Sequence, residues 1–236
     1  MPQVAAILAA AGSGTRLASS TNGQPKQLVN LAGRPIYVWS LLAFAAHPQI
    51  ATIVVVTLPE LICVVEEEVQ KLSIKKQVLV VAGGATRQES VYFGLKALDG
   101  HSARPEFVLV HDAARPFLNA GLIDACISGV TTYGACTTAV YASDTVKTVE
   151  SGVIIETLDR QSIVLVQTPQ GARFDWLLAA HKIADEKGHG TTDDAALLEY
   201  AGRKVAVVAG SPLNIKVTAA ADLQMSDILA ERLLKK

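Results

Sequence analysis

Apolar residues in this chain fall into two recurring patterns, short continuous runs and stretches of helical period. The runs are Val4 to Ala10, Thr52 to Thr57, Gln77 to Ala82, Phe107 to Val110, Thr137 to Tyr141, Ile163 to Gln167 and Val205 to Ala209, and each reads as a strand. Helical period lies between most of them. Arg34-Pro35 opens one helix, with Ile36, Trp39 and Leu42 to Ala43 on one face. Others cover Leu61 to Leu72, Gln88 to Leu98, Gly121 to Thr132, Asp175 to Glu186, Thr192 to Ala201 and Ala220 to Leu234. Thr218 is a candidate N-cap for the last, and Lys235 and Lys236 complement the C-terminal end of its dipole. Alternation of this kind predicts an α/β sandwich with a mostly parallel sheet. One segment breaks it. Ser143 to Asp159 reads SDTVKTVESGVIIETLD, two β-branched runs around Glu150-Ser151-Gly152, which predicts a hairpin with no helix between its strands. A hairpin that projects from a wound sheet has an edge to cover, and a partner subunit or a solvated flap would serve. No repeat, linker or low-complexity segment divides residues 1–236, so a single domain is expected.

Composition narrows the class. Half of the 236 residues are hydrophobic, 18% are charged and only 5% are aromatic. A disordered charged chain is excluded, and the core must be built mainly of Ala, Val, Ile and Leu, as suits parallel strands packed closely against helices. With 21 basic and 22 acidic residues the net charge is −1, which argues against a general nucleic-acid binder, so an anionic ligand must be met by a local cluster. Cys63, Cys126 and Cys136 show neither CxxC nor CxxH spacing, against a disulfide framework or a zinc site. The run from Val4 to Ala11 has no basic residues before it and leads straight into a glycine loop, as a first strand does and a signal peptide does not. No apolar stretch approaches the ~18 residues that span a bilayer, and a cytoplasmic protein with no membrane partner is expected.

The chemistry points to phosphate. After the first strand comes Ala9-Ala10-Ala11-Gly12-Ser13-Gly14-Thr15-Arg16-Leu17, followed by Gln24-Pro25-Lys26-Gln27. Glycines there let backbone N–H groups approach a phosphate with no Cβ in the way. A dinucleotide-binding turn wants a small residue where Leu17 sits, and a P-loop wants Gly-Lys-Ser/Thr, which is absent. What remains is a loop with cations at Arg16 and Lys26, suited to a triphosphate under attack. Gly83-Gly84-Ala85-Thr86-Arg87-Gln88-Glu89-Ser90 is a second glycine turn before a helix, either an anion or base-edge site with the Ser90 hydroxyl or a plain tight turn. Val110-His111-Asp112-Ala113-Ala114-Arg115-Pro116 puts an acid at the carboxyl end of a strand, where open α/β sheets bind ligands. Asp112 suits Mg²⁺ and Arg115 a phosphate, while His111 reads as structural. Gln167-Thr168-Pro169-Gln170 ends a strand. Thr192, Asp193 and Asp194 read first as a helix cap. Lys216, in a strand between Ile215 and Val217, is either a solvated lysine or a third cation.

In order, AAAGSGTRL, PKQ, GGATRQES, HDAARPF, DTVK, TLDR, QTPQG, TTDDA and NIKVT closely resemble the 2-C-methyl-D-erythritol 4-phosphate cytidylyltransferase family, from about Val4 to Leu234. The resemblance implies a Rossmann-like nucleotidyltransferase three-layer sandwich, with a β-arm at about 138–162 that embraces a second subunit in a homodimer. It implies cytidylyl transfer from CTP to methylerythritol phosphate, releasing pyrophosphate, with Mg²⁺ or another divalent cation. Ala10, Ala11, Gly12, Gly14, Gly84 and Ser90 would line the CTP site, and Arg16, Lys26 and Lys216 would clamp its charge. Asp112, Ala113 and Arg115 would lie between nucleotide and sugar phosphate, Asp112 near ribose, substrate or metal. Thr145, Arg160, Thr168 and Thr192 would contact the acceptor, Arg160 in the neighbour's site. Ala85 departs from the family's frequent acid at that position. A cytidylyltransferase for another polyol phosphate such as ribitol 5-phosphate, and a non-catalytic nucleotide-binding module, are the alternatives; TLDR, HDAARP and TTDDA favour methylerythritol phosphate.

Overall fold

The computed structural model describes residues 3–12, 25–100 and 104–234. Its strands are β1 Val4–Ala10, β2 Asn30–Leu31, β3 Arg34–Pro35, β4 Ile50–Thr57, β5 Gln77–Ala82, β6 Phe107–Asp112, β7 Ala135–Tyr141, β8 Val146–Glu150, β9 Val153–Leu158, β10 Val164–Arg173 and β11 Ala206–Ala209. Its α-helices are α1 Ile36–Ala46, α2 Ile62–Lys71, α3 Arg87–Asp99, α4 Ala120–Tyr133, α5 Phe174–Lys187, α6 Asp194–Tyr200 and α7 Ala220–Leu233. Seven strands form one sheet in the order β11-β7-β10-β6-β1-β4-β5. β1 pairs in parallel with β4 and β6, and β4 with β5, whereas β10 runs antiparallel to both β6 and β7. The predicted α/β sandwich with a mostly parallel sheet is the observed one.

Strand periodicity sorts the core into two layers. On β1, Val4, Ala6, Leu8 and Ala10 join Tyr37, Phe44 and Ile123 on one face, and Ala5 and Ile7 join Leu95, Phe174 and Leu177 on the other. A third cluster under α7 gathers Val29, Leu31, Ile36, Phe117 and Val217. Because β1 is covered on both faces, its run has no polar alternation.

Four local readings change. α1 buries Tyr37, Val38, Ser40, Leu41 and Phe44 as well as Ile36, while Trp39 and Leu42 are only half-buried; the helix is apolar nearly all round, so its period names no single face. Thr218 does not cap α7. Ala219 holds that position, and the Asp222 carboxylate reaches back to accept from the Thr218 and Ala219 N–H groups at 2.7 and 2.9 Å. Residues 214–218 form no strand. The segment is held by the Val217 N–H donating to Ala114 O and by Arg115 Nη1 donating to Asn214 O, yet it keeps its alternation, with Ile215 and Val217 in the third cluster. Finally, Gln167 to Gln170 lies within β10 instead of ending it, at a register irregularity that includes a cis Thr168–Pro169 bond.

β8 and β9 pair only with each other. Ser151 and Gly152 turn the hairpin at φ of 49° and 82°, the left-handed region that a tight two-residue hairpin turn requires. Val149, Val153, Ile154 and Ile155 on it are all exposed.

Candidate active site

The carboxyl ends of β1, β4 and β6 converge on one edge of the sheet, where wound sheets bind ligands. Between them opens a cavity of about 510 Å³. Its floor is the main chain and small side chains of Ala10, Ala11, Gly12 and Gly84, and its rim carries Lys26, Asp112, Ala113 and Lys216. A neighbouring cavity of about 220 Å³ is lined by Arg115, Thr168 and Thr192, with Gln167, Gln170 and Asp193. Arg87, Asp112 and Lys216 border both. Gly14 and Arg16 lie outside the described residues. Thr145 and Arg160 line neither cavity; both are exposed at the foot of the arm, where Arg160 Nη1 donates to Ser143 O at 2.8 Å.

The second glycine turn is fixed by α3. Thr86 caps that helix, accepting from the Glu89 N–H at 3.0 Å, and the Glu89 carboxylate accepts from Ala85 and Thr86 N–H at 2.7 and 3.1 Å. The Ser90 hydroxyl donates to Thr86 O at 2.8 Å and accepts from Gly84 N–H at 3.1 Å. Its proton is committed to the turn, so toward a ligand it can act only as an acceptor. Gly83 has no room for a side chain: a Cβ there would stand 2.3 Å from Ala11 Cβ and 2.8 Å from Ser90 Oγ.

Asp112 organises the boundary. Oδ1 accepts from Arg87 Nε at 2.9 Å, Oδ2 accepts from Lys216 Nζ at 2.6 Å, and Arg115 Nε stands 4.0 Å from Oδ2. Burial alone would raise this carboxyl, but the Arg87 and Lys216 charges outweigh it and hold the group well below the usual carboxylate range. Arg87 extends the pairing through Nη2 to Asp194 Oδ2 at 2.8 Å, at the start of α6. Lys216 thus lines both cavities and is ion-paired with Asp112.

Behind Asp112, Thr168 Oγ1 accepts from the Asp112 N–H at 3.1 Å and stands 3.0 Å from His111 Nδ1. His111 Nε2 faces Arg115 O at 3.1 Å. A carbonyl only accepts, so Nε2 carries the proton and Nδ1 accepts from the threonine hydroxyl. Burial pushes the imidazole down to about 4, which keeps this tautomer neutral near pH 7. His111 is structural, as expected.

Sequence reasoning misses four residues. Arg87 stands inside GGATRQES, where it reads only as part of a turn. Gln27 of PKQ is 3% exposed, lines the larger cavity, and has no partner for Nε2 among the described residues. Gln170 of QTPQ accepts from the Asp194 and Ala195 N–H groups at 2.9 and 3.0 Å and donates to Asp193 Oδ2 at 2.8 Å, pinning the start of α6. Asp194 carries the Arg87 pair, and the cap itself is Asp193, whose Oδ1 accepts from Ala196 N–H at 2.9 Å.

Among the described residues no three His, Cys, Asp or Glu side chains group to cage a metal. Asp112 alone fits a divalent cation that takes its other ligands from phosphate and water, since each of its oxygens keeps a lone pair beyond the bonds described.

Comparison with known proteins agrees with this geometry. The family model described as IspD, 2-C-methyl-D-erythritol 4-phosphate cytidylyltransferase, matches residues 4–232. The cytidylyltransferase of that name from Pelotomaculum thermopropionicum is 42% identical over 96% of this chain and 94% of its own length. Its namesake from Bacillus mycoides is 41% identical over 94% and 95%. Among solved structures, the enzyme of that name from Thermus thermophilus superposes with a TM-score of 0.77 at 30% identity, covering 97% of this chain and 99% of that one. 4-Diphosphocytidyl-2C-methyl-D-erythritol synthase from Anaerococcus prevotii gives 0.85 at 26%, covering 98% and 97%. A family match over residues 4–232, relatives more than 40% identical over nearly the whole chain and the shared fold place this chain in the 2-C-methyl-D-erythritol 4-phosphate cytidylyltransferase family.

Proposed function

We propose that this chain transfers the cytidylyl group of CTP to 2-C-methyl-D-erythritol 4-phosphate, giving the CDP-methylerythritol product and pyrophosphate in non-mevalonate isoprenoid precursor synthesis. The observation that carries the reading, beside family membership, is the pair of contiguous cavities meeting at Asp112, Arg87 and Lys216. The larger would take CTP, with Ala10, Ala11, Gly12, Gly14, Gly84 and Ser90 against base and phosphates. The smaller would take the acceptor phosphate, with Arg115, Thr168 and Thr192 around it.

A phosphate monoester is mostly dianionic near neutral pH, its second pKa being about 6. Its oxygen can attack the α-phosphorus of CTP without a side-chain base; the new O–P bond forms as the bond to the β-phosphate oxygen breaks, and pyrophosphate leaves with the electron pair. Bringing two anions together is the barrier, and Arg16, Lys26 and Lys216 would lower it by aligning and neutralising them. Asp112 would hold Mg²⁺ or another divalent cation together with phosphate oxygens, and that ion would supply further charge neutralisation. The Arg87 and Lys216 charges hold its pKa down and keep Asp112 an anion near neutral pH, so it positions cations rather than moving protons.

The arm extends the reading to a homodimer. Val149, Val153, Ile154 and Ile155 expose an apolar strand pair that water covers poorly and a second copy would bury. Thr145 and Arg160 at its foot would then serve the partner's acceptor site. No helix of the described residues is long and apolar enough to cross a membrane.

Pyrophosphate release from CTP, measured separately with methylerythritol phosphate and ribitol 5-phosphate, tests the function. Faster reaction with ribitol phosphate overturns the acceptor, and CTP binding without release for either overturns the enzyme. Ile154→Asp tests the arm: it is expected to yield monomers in sedimentation, and an unchanged dimer would refute the arm as its interface.

A further inference from the structure

Arg87 is the one guanidinium among the described residues that touches two buried carboxylates from distant parts of the chain, Asp112 at the end of β6 and Asp194 at the start of α6. Its own side chain is 25% exposed, those of Asp112 and Asp194 only 10% and 3%. Both of its contacting nitrogens are therefore spent on protein carboxylates rather than offered to a ligand. The elements it joins carry different parts of the site: β6 leads into Ala113 and Arg115, and α6 follows Thr192 and Asp193.

Charge arithmetic gives the pairing a second consequence. Arg87, Lys216 and, at 4.0 Å, Arg115 face the Asp112 and Asp194 carboxylates. Without Arg87, Asp112 would still keep Lys216 at 2.6 Å and Arg115 at 4.0 Å. Among the described residues, the Asp194 carboxylate would then keep only the buried His181 as an ion-pair partner, with Nε2 3.9 Å away. The fork thus supplies the close cation of Asp194 and ties the acceptor-side helix to the strand end.

We propose that Arg87 is a positioning residue: it holds Asp112 and the start of α6 in one ion-paired frame, which sets the acceptor cavity against the nucleotide cavity. The proposal rests on the cytidylyl-transfer reading above. Arg87 itself touches neither reacting phosphate in this scheme.

Steady-state kinetics of the whole chain with CTP and methylerythritol phosphate test it, with circular dichroism to check folding and active-site titration to count competent sites. Wild-type turnover establishes the underlying reading first, so failure there is distinguishable from failure at Arg87. Arg87→Gln is expected to lower kcat about 100-fold, the scale of losing preorganised electrostatics, and to raise the acceptor KM about tenfold more than that for CTP. Arg87→Lys keeps the charge but not the fork, and should recover less than a tenth of the lost turnover. Asp194→Asn releases only the α6 end, and should raise the acceptor KM severalfold while kcat stays within about threefold of wild type. A folded Arg87→Gln enzyme with wild-type constants, or one whose loss is wholly a smaller fraction of competent sites with both KM values unchanged, overturns the proposal. Should Arg87→Gln not fold, Asp194→Asn decides alone, and an unchanged acceptor KM overturns it.

Discussion

Where the larger cavity is lined by main chain and small side chains at Ala10 to Gly12 and Gly84, the smaller is lined by long polar side chains, Arg115, Gln167 and Gln170, many of whose polar atoms already have partners. The first kind of surface recognises a ligand by letting it approach the backbone, and glycine is what makes that possible. The second is a hydrogen-bonded lattice whose shape depends on every member being satisfied. Damage should spread differently through the two. A side chain added to the first acts locally by steric blockage, whereas a group removed from the second loosens several elements at once.

Loss of a proposed clamp cation should produce the largest effect, because the reaction brings two anions together. Lys216→Ala, and separately Lys26→Ala, is expected to lower turnover at saturating substrates and metal by at least ~100-fold, the scale of one preorganised electrostatic contact. Near-wild-type turnover in a folded variant would refute the clamp. Lys216 borders both cavities, so both KM values are expected to move there, whereas Lys26 lines only the larger and should move mainly the CTP KM.

The same contrast explains what is legible in the sequence. Backbone recognition needs glycines between a strand and a helix, a signal local enough to read from Ala9 to Leu17 and from Gly83 to Ser90 without a structure. Polar lattices leave no such signal. Arg87 and Asp194 are 107 residues apart, and Thr168 and Asp112 are 56 apart, so only the folded sheet brings them together. Arg87 is therefore silent even inside a motif that is itself conspicuous, and Asp194 reads as a helix cap when its neighbour Asp193 performs that task. Strands with continuous apolar runs are located closely, since burial on both faces is itself the pattern. The error at α1 has the reverse cause: a helix surrounded by core and by the third cluster has no polar face to give it a phase. Residues 214–218 show alternation without a sheet, because the segment is held by Ala114, Arg115 and Thr168 rather than by a neighbouring strand.

Next in size is a steric test of the larger cavity. Gly83→Ala places a Cβ against Ala11 and Ser90, neither of which can retreat without moving cavity wall. Overpacking of this kind costs about 1–3 kcal/mol, which, if expressed in nucleotide binding, should raise the CTP KM about 5- to 150-fold, with the acceptor KM within about twofold of wild type. Equal shifts in both constants would mean that the cavities do not act separately. Thr168→Val is the matching test of the smaller cavity. It removes the acceptor for the Asp112 N–H and the donor to His111, at a cost of about 1–3 kcal/mol, and should raise the acceptor KM about tenfold while the CTP KM moves less. A larger change for CTP would reverse the assignment of the two cavities.

His111 gives the smallest effect, and it reads stability rather than turnover. Its imidazole is pushed down to about 4 by burial, from an ordinary value of 6.5, so on acidification the unfolded chain takes up this proton well before the native one does. Native stability therefore falls from near pH 6.5 towards pH 4, by as much as about 3 kcal/mol from this group alone. Above pH 6.5 the group contributes no slope. Asp112 and Asp194 act in a different window, since their depressed values stabilise the fold above the ordinary carboxylate range, and that contribution is lost only below about pH 4. His111→Gln can still donate to Arg115 O and accept from Thr168, yet it cannot take up a proton. Urea unfolding of the two proteins at a series of pH values separates the terms. The variant should lose some stability at pH 7 through imperfect packing, while its stability should depend less on pH between 6.5 and 4.5, by a slope approaching 1.4 kcal/mol per pH unit at most. Parallel pH profiles for the two proteins would show that the lattice behind the smaller cavity tolerates a charged His111, and the contrast between a rigid polar lattice and a plain backbone cradle would then have to be drawn without it.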